Sequence, residues 1–327
     1  MRYATLGKTG LRVSRLAIGC MSFGGPDARG YEWTLDYEDS KKVIDRAVDI
    51  GINFFDTADV YSWGRSEEIV GRALEGRRKD VVIATKVGLP TGEGPDERGL
   101  SRKHIKTNLA KSLKHLRTNR IDLYQIHRWD YATPIEDVLR TLTDAVRKDK
   151  VVDNIGASSM WAWQFAKALY TSDRLGLERF ATMQNHYNLA YREEEREMIP
   201  LCREEGVAIM PWSPLARGFL SGKYRRGRRS ATLRYRKDNL IRERFFRPED
   251  FDVVERLVEV AKQKGVKPSQ VALAWLLSKK YVSSPIVGPT SVEQLEELVE
   301  AVSVRLKNSD IKRLEEPYSP HRVLGYH

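Results

Sequence analysis

Eight short apolar runs, rich in β-branched and aromatic residues, recur along the chain and alternate with longer amphipathic segments. In the segment DSKKVIDRAVDI, for example, Val43, Ile44 and Ala47 recur at the spacing of one helix face. Strict alternation of strand and helix predicts parallel strands joined by right-handed crossovers. The predicted strands cover residues 15–19, 52–58, 81–87, 121–127, 151–158, 181–188, 207–214 and 283–288.

Eight strand–helix units favour a closed (β/α)8 TIM barrel of the α/β class over an open doubly wound sheet. An open dinucleotide-binding sheet would carry a G-x-G-x-x-G turn after an early strand, and the sequence has none. The first sixteen residues predict a β-hairpin, RYATLG and LRVSRL around KTG, which we expect to plug the amino-terminal end of the barrel. Helical patterns at 250–265 and 268–280, and the tail from Leu306, are extra C-terminal pieces.

The chain has 327 residues, of which 41% are hydrophobic, so one large core suffices and residues 1–327 are expected to form a single domain. The two cysteines, Cys20 and Cys202, lack the spacing of a metal or redox motif, which fits a reducing compartment. Neither a cleavable leader nor an apolar run long enough to cross a bilayer is found. We therefore expect a cytoplasmic protein without a membrane partner.

The net charge of +11 is concentrated in one segment. Residues 223–247 contain eleven Lys or Arg and two acidic residues, and the remaining 45 basic and 43 acidic residues nearly cancel. Such a segment can be a phosphate-binding flap, a nucleic-acid arm or a solvated loop. The charge alone does not decide among these three.

Reactive side chains lie at or just after the carboxyl ends of the second, third and fourth predicted strands: Asp56 and Tyr61 in NFFDTADVY, Lys86 in VVIATKV, and His127 in IDLYQIH. The carboxyl ends of parallel barrel strands converge, so these four residues are expected to share one small volume. An acid, a phenol, an ammonium and an imidazole together suit proton delivery to a carbonyl group.

In this interpretation Tyr61 is the general acid, and Lys86, kept charged by Asp56, stabilises its phenolate. His127 orients the substrate oxygen or shares in proton relay. Each residue alone also has a structural explanation: a turn cap, a snorkelling lysine, a rim aromatic and a structural histidine. The hypothesis depends on their coincidence at strand ends. No metal is expected, because one His and one Asp are too few ligands.

Motifs in a fixed order then carry a resemblance along nearly the whole chain: LRVSRLAIGCMSFGG, INFFDTADVYSWGRSEEIVGRAL, GLSRKHI, MQNHYNL, PWSPLARGFLSGKY and GPTSVEQLEE. The sequence resembles the aldo-keto reductases, most closely the branch with the β subunits of voltage-gated potassium channels and related prokaryotic reductases. The resemblance implies a (β/α)8 barrel that uses NADPH, with a catalytic tetrad at Asp56, Tyr61, Lys86 and His127. The channel subunits usually carry Asn at the last position, so His127 favours an active reductase.

The resemblance also implies a cofactor site. Ser158 and Gln184 would bind the nicotinamide carboxamide, Trp212 would stack on the ring, and Cys20 and Met21 would line that side, next to Asp56. The pyrophosphate loop is implied at Ser213, Pro214, Leu215, Ala216, Arg217, Gly218 and Lys223. The adenosine 2′-phosphate and adenine would lie at Gly288, Thr290, Gln294 and Glu297.

Gln294 stands where many members of the family carry Arg, and an uncharged amide weakens the case for strict NADPH selectivity, so NADH is possible. Arg228 and Arg229 could compensate. The substrate is expected to be a small carbonyl compound bound by Tyr61, Trp63, His127 and Trp129, where the indoles suit apolar or aromatic aldehydes and ketones.

Three classes of function remain open from the sequence. The leading one is an NADPH-dependent carbonyl reductase, and the alternative is a regulatory, channel-associated subunit that binds NADPH with little turnover. A nucleic-acid binder acting through the basic segment is disfavoured, because aromatic stacking residues around it are few. The oligomeric state and the physiological substrate are not determined by the sequence.

Overall fold

A computed structural model describes residues 1–25, 33–94, 96–224, 226–227 and 238–326. An antiparallel hairpin comes first, with strands β1 (Tyr3–Thr5) and β2 (Arg12–Ser14). Eight parallel strands follow in the spatial order β10, β3, β4, β5, β6, β7, β8, β9. They are β3 (Ala17–Gly19), β4 (Phe54–Asp56), β5 (Val82–Val87), β6 (Ile121–Ile126), β7 (Val152–Ser158), β8 (Thr182–Gln184), β9 (Ala208–Ile209) and β10 (Ile286–Val287).

Hydrogen bonds between the two outermost strands close the sheet into a barrel. Ser283 N donates to Ile209 O and Ile286 N donates to Pro211 O, both at 2.9 Å. The predicted (β/α)8 barrel with an amino-terminal hairpin is therefore confirmed. Several strands are shorter than predicted, and the run at 207–214 forms a ladder only at Ala208–Ile209. Its prolines have no N–H to donate, which ends regular pairing early.

The helices between the strands bury their apolar faces against the outside of the barrel. The first helix begins after Asp36, whose carboxylate accepts a hydrogen bond from Asp39 N at 2.9 Å, and it buries Val43 and Ile44. The helices in the described residues are α1 (Tyr37–Asp49), α2 (Arg65–Ala73), α3 (Arg102–His115), α4 (Ile135–Arg147), α5 (Ala162–Leu175), α6 (Met198–Glu205), α7 (Asn239–Phe245), α8 (Pro248–Lys264), α9 (Pro268–Ser278), α10 (Val292–Glu300) and α11 (Asn308–Glu315).

The lower part of the barrel interior is apolar, and the hairpin closes it from below. Leu6 and Val13 of the hairpin region belong to one buried cluster with residues of the barrel strands. The hairpin turn lies tight against the barrel, since a Cβ on Gly7 would come within 3.0 Å of the Ala181 carbonyl oxygen. Gly7 also has a φ of +56°, which glycine adopts without steric cost. The barrel residues of this cluster are Ala17, Phe54, Val82, Ala84, Leu123, Ala208, Met210 and Ile286.

A polar layer lies directly above the apolar one. Side chains two residues apart on a strand share a face. The residues two positions after Phe54, Ala84 and Leu123 therefore also point inward. They are Asp56, Lys86 and Gln125, which are all buried. The barrel interior thus changes from apolar to polar toward the carboxyl ends of the strands. In the described part of the chain, we find no helix with both the length and the apolarity to cross a bilayer.

Candidate active site

A buried ion pair lies in this polar layer. Lys86 Nζ donates to Asp56 Oδ1 at 2.5 Å and to the Thr57 carbonyl oxygen at 2.8 Å. Two amides contact the other carboxylate oxygen: Gln184 Nε2 donates to Asp56 Oδ2 at 2.8 Å, and Gln125 Nε2 does so at 3.1 Å. Because the ammonium faces an anion and both carboxylate oxygens have donors, the burial of the two charges is compensated.

Tyr61 reaches the ion pair from a turn that follows β4. Its hydroxyl oxygen accepts a hydrogen bond from Lys86 Nζ at 3.3 Å. Within the turn, Ser62 and Trp63 have left-handed backbone conformations, with φ of 48° and 58°. Such conformations are costly for residues other than glycine, so the surrounding packing must hold this turn in place.

The protonation states of Tyr61 and Lys86 follow from their surroundings. Burial raises the pKa of the Tyr61 phenol above its usual value, and the opposing effect of the Lys86 ammonium is smaller. Burial lowers the pKa of Lys86, but Asp56 and Tyr61 together outweigh burial and raise it overall. At neutral pH the site therefore holds an ammonium beside a protonated phenol. Lys86 favours the phenolate, as the sequence led us to expect, but burial has the larger effect.

His127 follows β6 and lies beside Tyr61. Its ring meets the Tyr61 ring edge to face, with centroids 5.8 Å apart. Burial, with Lys86 and Arg128 nearby, lowers the pKa of His127 well below its usual value, so the imidazole is neutral at pH 7. Within the described residues, His127 Nδ1 is buried without a hydrogen-bond partner. Such an atom can hydrogen-bond a bound polar ligand.

The residues expected around the nicotinamide are linked to the ion pair through Gln184. Ser158 Oγ donates to the Gln184 carbonyl oxygen at 2.9 Å, and the Gln184 side chain contacts Asp56. Trp212 is half-buried, and its Nε1 donates to Ser159 Oγ at 2.8 Å. Ser159 thus joins the indole to the strand end that carries Ser158.

Cys20 and Met21 lie in a 3-10 turn directly after β3. The Cys20 side chain is fully buried, and burial, with the nearby Asp56 carboxylate, raises the pKa of its thiol well above the usual range. The thiol is therefore unreactive at neutral pH. Gly288, after β10, lies against this region, since a Cβ placed on it would be 3.6 Å from the Gly19 carbonyl oxygen.

The expected pyrophosphate loop at residues 213–218 has an unusual backbone. Ser213, Ala216 and Arg217 have φ of 50°, 49° and 57°, and Gly218 has 95°. The N–H groups of Ala216 and Gly218 donate to the Ser213 and Leu215 carbonyl oxygens, both at 2.9 Å, so hydrogen bonds within the turn hold this backbone. A turn with left-handed residues can form a concavity whose remaining N–H groups suit an anion. The Arg217 side chain is buried and forms an ion pair with Asp238 at 2.6 Å.

The residues expected near the adenosine form a separate group at the start of α10. Thr290 donates from both N and Oγ1 to Gln294 Oε1 at 3.0 Å, so Gln294 shapes the turn. The Glu297 carboxylate accepts hydrogen bonds from Lys267 and Ser269 at 2.7 and 2.6 Å. Burial raises the pKa of Glu297, but these two donors lower it overall.

Lys223 is exposed, and its charge also contributes to the lowered pKa of Glu297. Arg228 and Arg229 lie outside the described residues. Two other arginines of the basic segment have acidic partners: Arg226 pairs with Asp252 at 2.6 Å, and Arg247 pairs with Asp250 at 2.9 Å.

Two residues of the site were missed by the sequence analysis. Gln125 contacts Asp56 and is the register partner of Lys86, and its position two residues before His127 is the signal that could have found it. His186 lies between the rings of Trp212 and Tyr191, with centroid distances of 4.3 and 4.2 Å. No local pattern in MQNHYNL indicates this stacking.

The expected substrate residues lie on two loops of the same barrel end. Trp63 is 36% exposed on the turn that carries Tyr61, and Trp129 is half-buried two residues after His127. The Trp129 ring contacts the Trp163 ring at the start of α5, with centroids 6.2 Å apart.

The aldo/keto reductase family model matches residues 15–318. The chain belongs to the aldo/keto reductase family. Relatives of this aldo-keto reductase include the versiconal hemiacetal acetate reductase of Aspergillus parasiticus, 42% identical over 99% of this chain and 98% of that protein. A putative aryl-alcohol dehydrogenase of Schizosaccharomyces pombe is 40% identical over 99% of this chain and 97% of its own length. An aldo-keto reductase of Alternaria alternata is 39% identical over 99% of this chain and 93% of its own length.

The names of these relatives describe reductases and dehydrogenases, and family membership makes the protein an oxidoreductase of small molecules. The family generally uses a nicotinamide cofactor, and the residues present fit one. His127 Nδ1 is buried without a partner among the described residues, and the Trp212 indole offers a flat face. Four residues of the turn at 213–218 have left-handed backbone conformations. Over the described ranges, no cluster of three or more His, Cys, Asp or Glu side chains is arranged for a metal ion.

Proposed function

We propose that this aldo-keto reductase is an NADPH-dependent carbonyl reductase in which Tyr61 is the general acid. The observation that carries the proposal is the contact of Lys86 Nζ with both Tyr61 OH and Asp56 Oδ1, at 3.3 and 2.5 Å. A phenol beside a buried ammonium can release its proton to a substrate oxygen, because the ammonium stabilises the phenolate that remains.

The chain supplies a proton and orients the substrate. Tyr61 donates its hydroxyl proton to the carbonyl oxygen, and Lys86, kept charged by Asp56, stabilises the resulting phenolate. His127, neutral at pH 7, hydrogen-bonds the same oxygen and holds the carbonyl in the orientation that the reaction requires. Gln125 and Gln184 hold the Asp56 carboxylate toward Lys86 and so act as positioning residues.

NADPH, when bound, supplies a hydride to the carbonyl carbon. Ser158 and Gln184 would hold its carboxamide and Trp212 would hold its ring, because a flat indole fixes a plane at low entropic cost. The turn at 213–218 and the exposed Lys223 would hold the pyrophosphate. The turn at Thr290 and helix α10 would hold the adenosine end, where backbone N–H groups favour an anion.

A steady-state assay tests the proposed class of function. We expect NADPH absorbance at 340 nm to fall when the protein is mixed with a panel of aliphatic and aromatic aldehydes, and NADH to support a slower reaction. Tight NADPH binding with negligible turnover across the panel, equally slow in Tyr61→Phe, would instead support the regulatory, channel-associated alternative. That outcome would contradict the reductase proposal. The observation that favours catalysis over the regulatory alternative is the neutral His127, whose Nδ1 has no hydrogen-bond partner among the described residues.

A further inference from the structure

The turn that carries Tyr61 has an imidazole packed against it from a helix outside the barrel. This Tyr61 turn (Tyr61–Gly64) contains three consecutive left-handed residues, Ser62, Trp63 and Gly64, with φ of 48°, 58° and 89°. A strained backbone of this kind persists only where its surroundings hold it. A Cβ placed on Gly64 would lie 2.7 Å from Cε1 and 2.9 Å from Nδ1 of His115, the last residue of α3. The His115 ring therefore lies directly against this backbone.

Close packing of helices α2 and α3 fixes the position of His115. A Cβ on Gly71, in α2, would lie 2.5 Å from both the His115 carbonyl oxygen and the Leu116 carbonyl carbon. Only glycine lets two backbones approach so closely. The end of α3 is thus seated on α2, and the half-buried imidazole at that end has little freedom to move away from the Tyr61 turn.

A buried carboxylate joins His115 to the strand that carries Lys86. His115 Nδ1 lies 3.3 Å from Glu67 Oε2, and His115 Nε2 lies 3.8 Å from Glu68 Oε1. Glu67 is fully buried, and its Oε1 accepts a hydrogen bond from Thr85 Oγ1 at 2.6 Å. Because Thr85 directly precedes Lys86 on β5, Glu67 connects the imidazole to the backbone of the ion-pair lysine.

The first turn of α2 is also tied to the ion pair. Ser66 Oγ donates to the Cys20 carbonyl oxygen at 2.7 Å and lies 2.8 Å from Thr57 Oγ1. The Thr57 carbonyl oxygen accepts a hydrogen bond from Lys86 Nζ at 2.8 Å. Since α2 directly follows the Tyr61 turn, the turn, the start of α2 and the ion pair form one hydrogen-bonded unit.

We propose that His115 is a positioning residue that holds the Tyr61 turn against the buried ion pair through its contacts with Gly64 and Glu67. The proposal rests on the reductase function above and deepens it, because the Tyr61 hydroxyl must be held in place to deliver a proton. His115 acts through the turn and not by contact with the substrate. Its loss should therefore lower the rate of the chemical step and leave the binding of NADPH and aldehyde nearly unchanged.

The charge on His115 makes this contact depend on pH. The hydrogen bond to Glu67 has the largest effect on the pKa of His115 and raises it above its usual value, although burial opposes this effect. A helix end also favours a cation. The imidazolium is therefore lost as pH rises through this raised pKa, and the charge-assisted bond to Glu67 is lost with it. Other titratable groups that act on this pair are Glu68, Lys111, Asp59 and Tyr124.

The experiment measures the single-turnover rate of NADPH oxidation with a saturating aldehyde from pH 6 to pH 9. We expect the wild-type rate to fall about 3- to 10-fold more over this range than the rate of His115→Lys, which stays charged. His115→Gln should already be slower than wild type at pH 6 by about this factor. The KM for aldehyde and the Kd for NADPH should stay within about twofold in both variants. Lys114→Gln removes an exposed charge from the same helix end and is the matched control, which should follow wild type.

Two outcomes of the rate measurement would overturn the positioning role. One is an equal pH profile for wild type and His115→Gln. The other is a lower free energy of unfolding in His115→Gln with an unchanged rate, which would assign His115 to stability alone. If wild type reduces no aldehyde, hydrogen–deuterium exchange of residues 60–66 at pH 6 still decides the question. Faster exchange in His115→Gln than in Lys114→Gln then supports the positioning role although the reductase function has failed, and equal exchange overturns it.

Discussion

The lower and upper layers of the barrel interior are built from the same strands and differ in almost everything else. On β6, Leu123 lies in the apolar layer against the hairpin, and Gln125, two residues on, contacts the buried Asp56 carboxylate. On β5, Ala84 and Lys86 are related in the same way. One period of the strand thus separates residues that stabilise the barrel by burial from residues whose burial must be compensated.

The comparison shows which layer stabilises the fold and which layer carries the reactive groups. The apolar layer gains free energy from packing and offers no reactive group. The polar layer has ionised groups that gain little net stability from their pairing, but their pairing fixes the protonation of the site. Substitutions in the two layers should therefore separate stability from turnover.

Lys86→Met should have the largest effect. We expect turnover to fall about 100- to 10,000-fold, because the phenolate of Tyr61 loses its cation. The free energy of unfolding should fall by about 3–5 kcal/mol, since the Asp56 carboxylate stays buried without its ammonium. Steady-state kinetics and urea unfolding measure the two effects.

Two controls accompany Lys86→Met. Lys79→Met removes an exposed lysine from the turn before the same strand and should leave both quantities unchanged. Asp56→Asn combined with Lys86→Met should regain much of the lost stability while turnover stays low. Recovery of turnover in the double variant would contradict the assignment of a chemical role to the polar layer.

Leu123→Ala, in the apolar layer, should lower stability and leave turnover unchanged. Leu123 is fully buried, and its Cδ1 lies 3.2 Å from where a Cβ of Gly156 would stand, so truncation leaves a cavity. We expect a loss of about 2–5 kcal/mol in the free energy of unfolding, with kcat per folded molecule unchanged. A large fall in kcat at full folding, measured with active-site titration, would show that the two layers are not separable.

Glu194 is a second buried carboxyl group that can be compared with Asp56. Its hydrogen-bond donors are an amide and a hydroxyl instead of an ammonium. Asn185 Nδ2 donates to it at 2.7 Å, and Tyr326 also hydrogen-bonds it. Burial raises the pKa of Glu194 from 4.5 to about 8. The folded state thus holds a proton that the unfolded state releases, so the stability contribution of Glu194 declines as pH rises from 4.5 to about 8.

Glu194→Gln should remove this pH dependence. Between pH 6 and pH 9 wild type should lose about 3 kcal/mol more stability than the variant, from the linkage of proton binding to folding. Urea unfolding at the two pH values measures the difference. Glu204→Gln, an exposed glutamate on α6, is the control and should titrate like wild type. Equal pH dependence in all three proteins would show that Glu194 is ionised in the folded state.

The sequence predicted the barrel because periodicity is a local property. All eight strands and the plugging hairpin are present, and Asp56, Lys86 and His127 meet because parallel strands end at one edge. Strand lengths were overestimated where prolines and loop residues extend apolar runs without pairing, as at 207–214.

Contacts between distant segments could not be read from local patterns. The stacking of His186 on Trp212 and the contact of Trp129 with Trp163 depend on how loops turn. The direction of the Tyr61 pKa shift depends on burial, which opposes the effect of Lys86 and exceeds it. The sequence predicted that Lys86 lowers the pKa of Tyr61, but it did not predict that burial has the larger and opposite effect.

The central claim is that the Tyr61 hydroxyl delivers the proton. Single-turnover oxidation of saturating NADPH by Tyr61→Phe, with an aldehyde that wild type reduces, tests it most directly. We predict a rate at least about 100-fold below wild type, with the Kd for NADPH within about twofold, because Phe removes only the hydroxyl that contacts Lys86. A variant that reduces the aldehyde as fast as wild type would contradict the account.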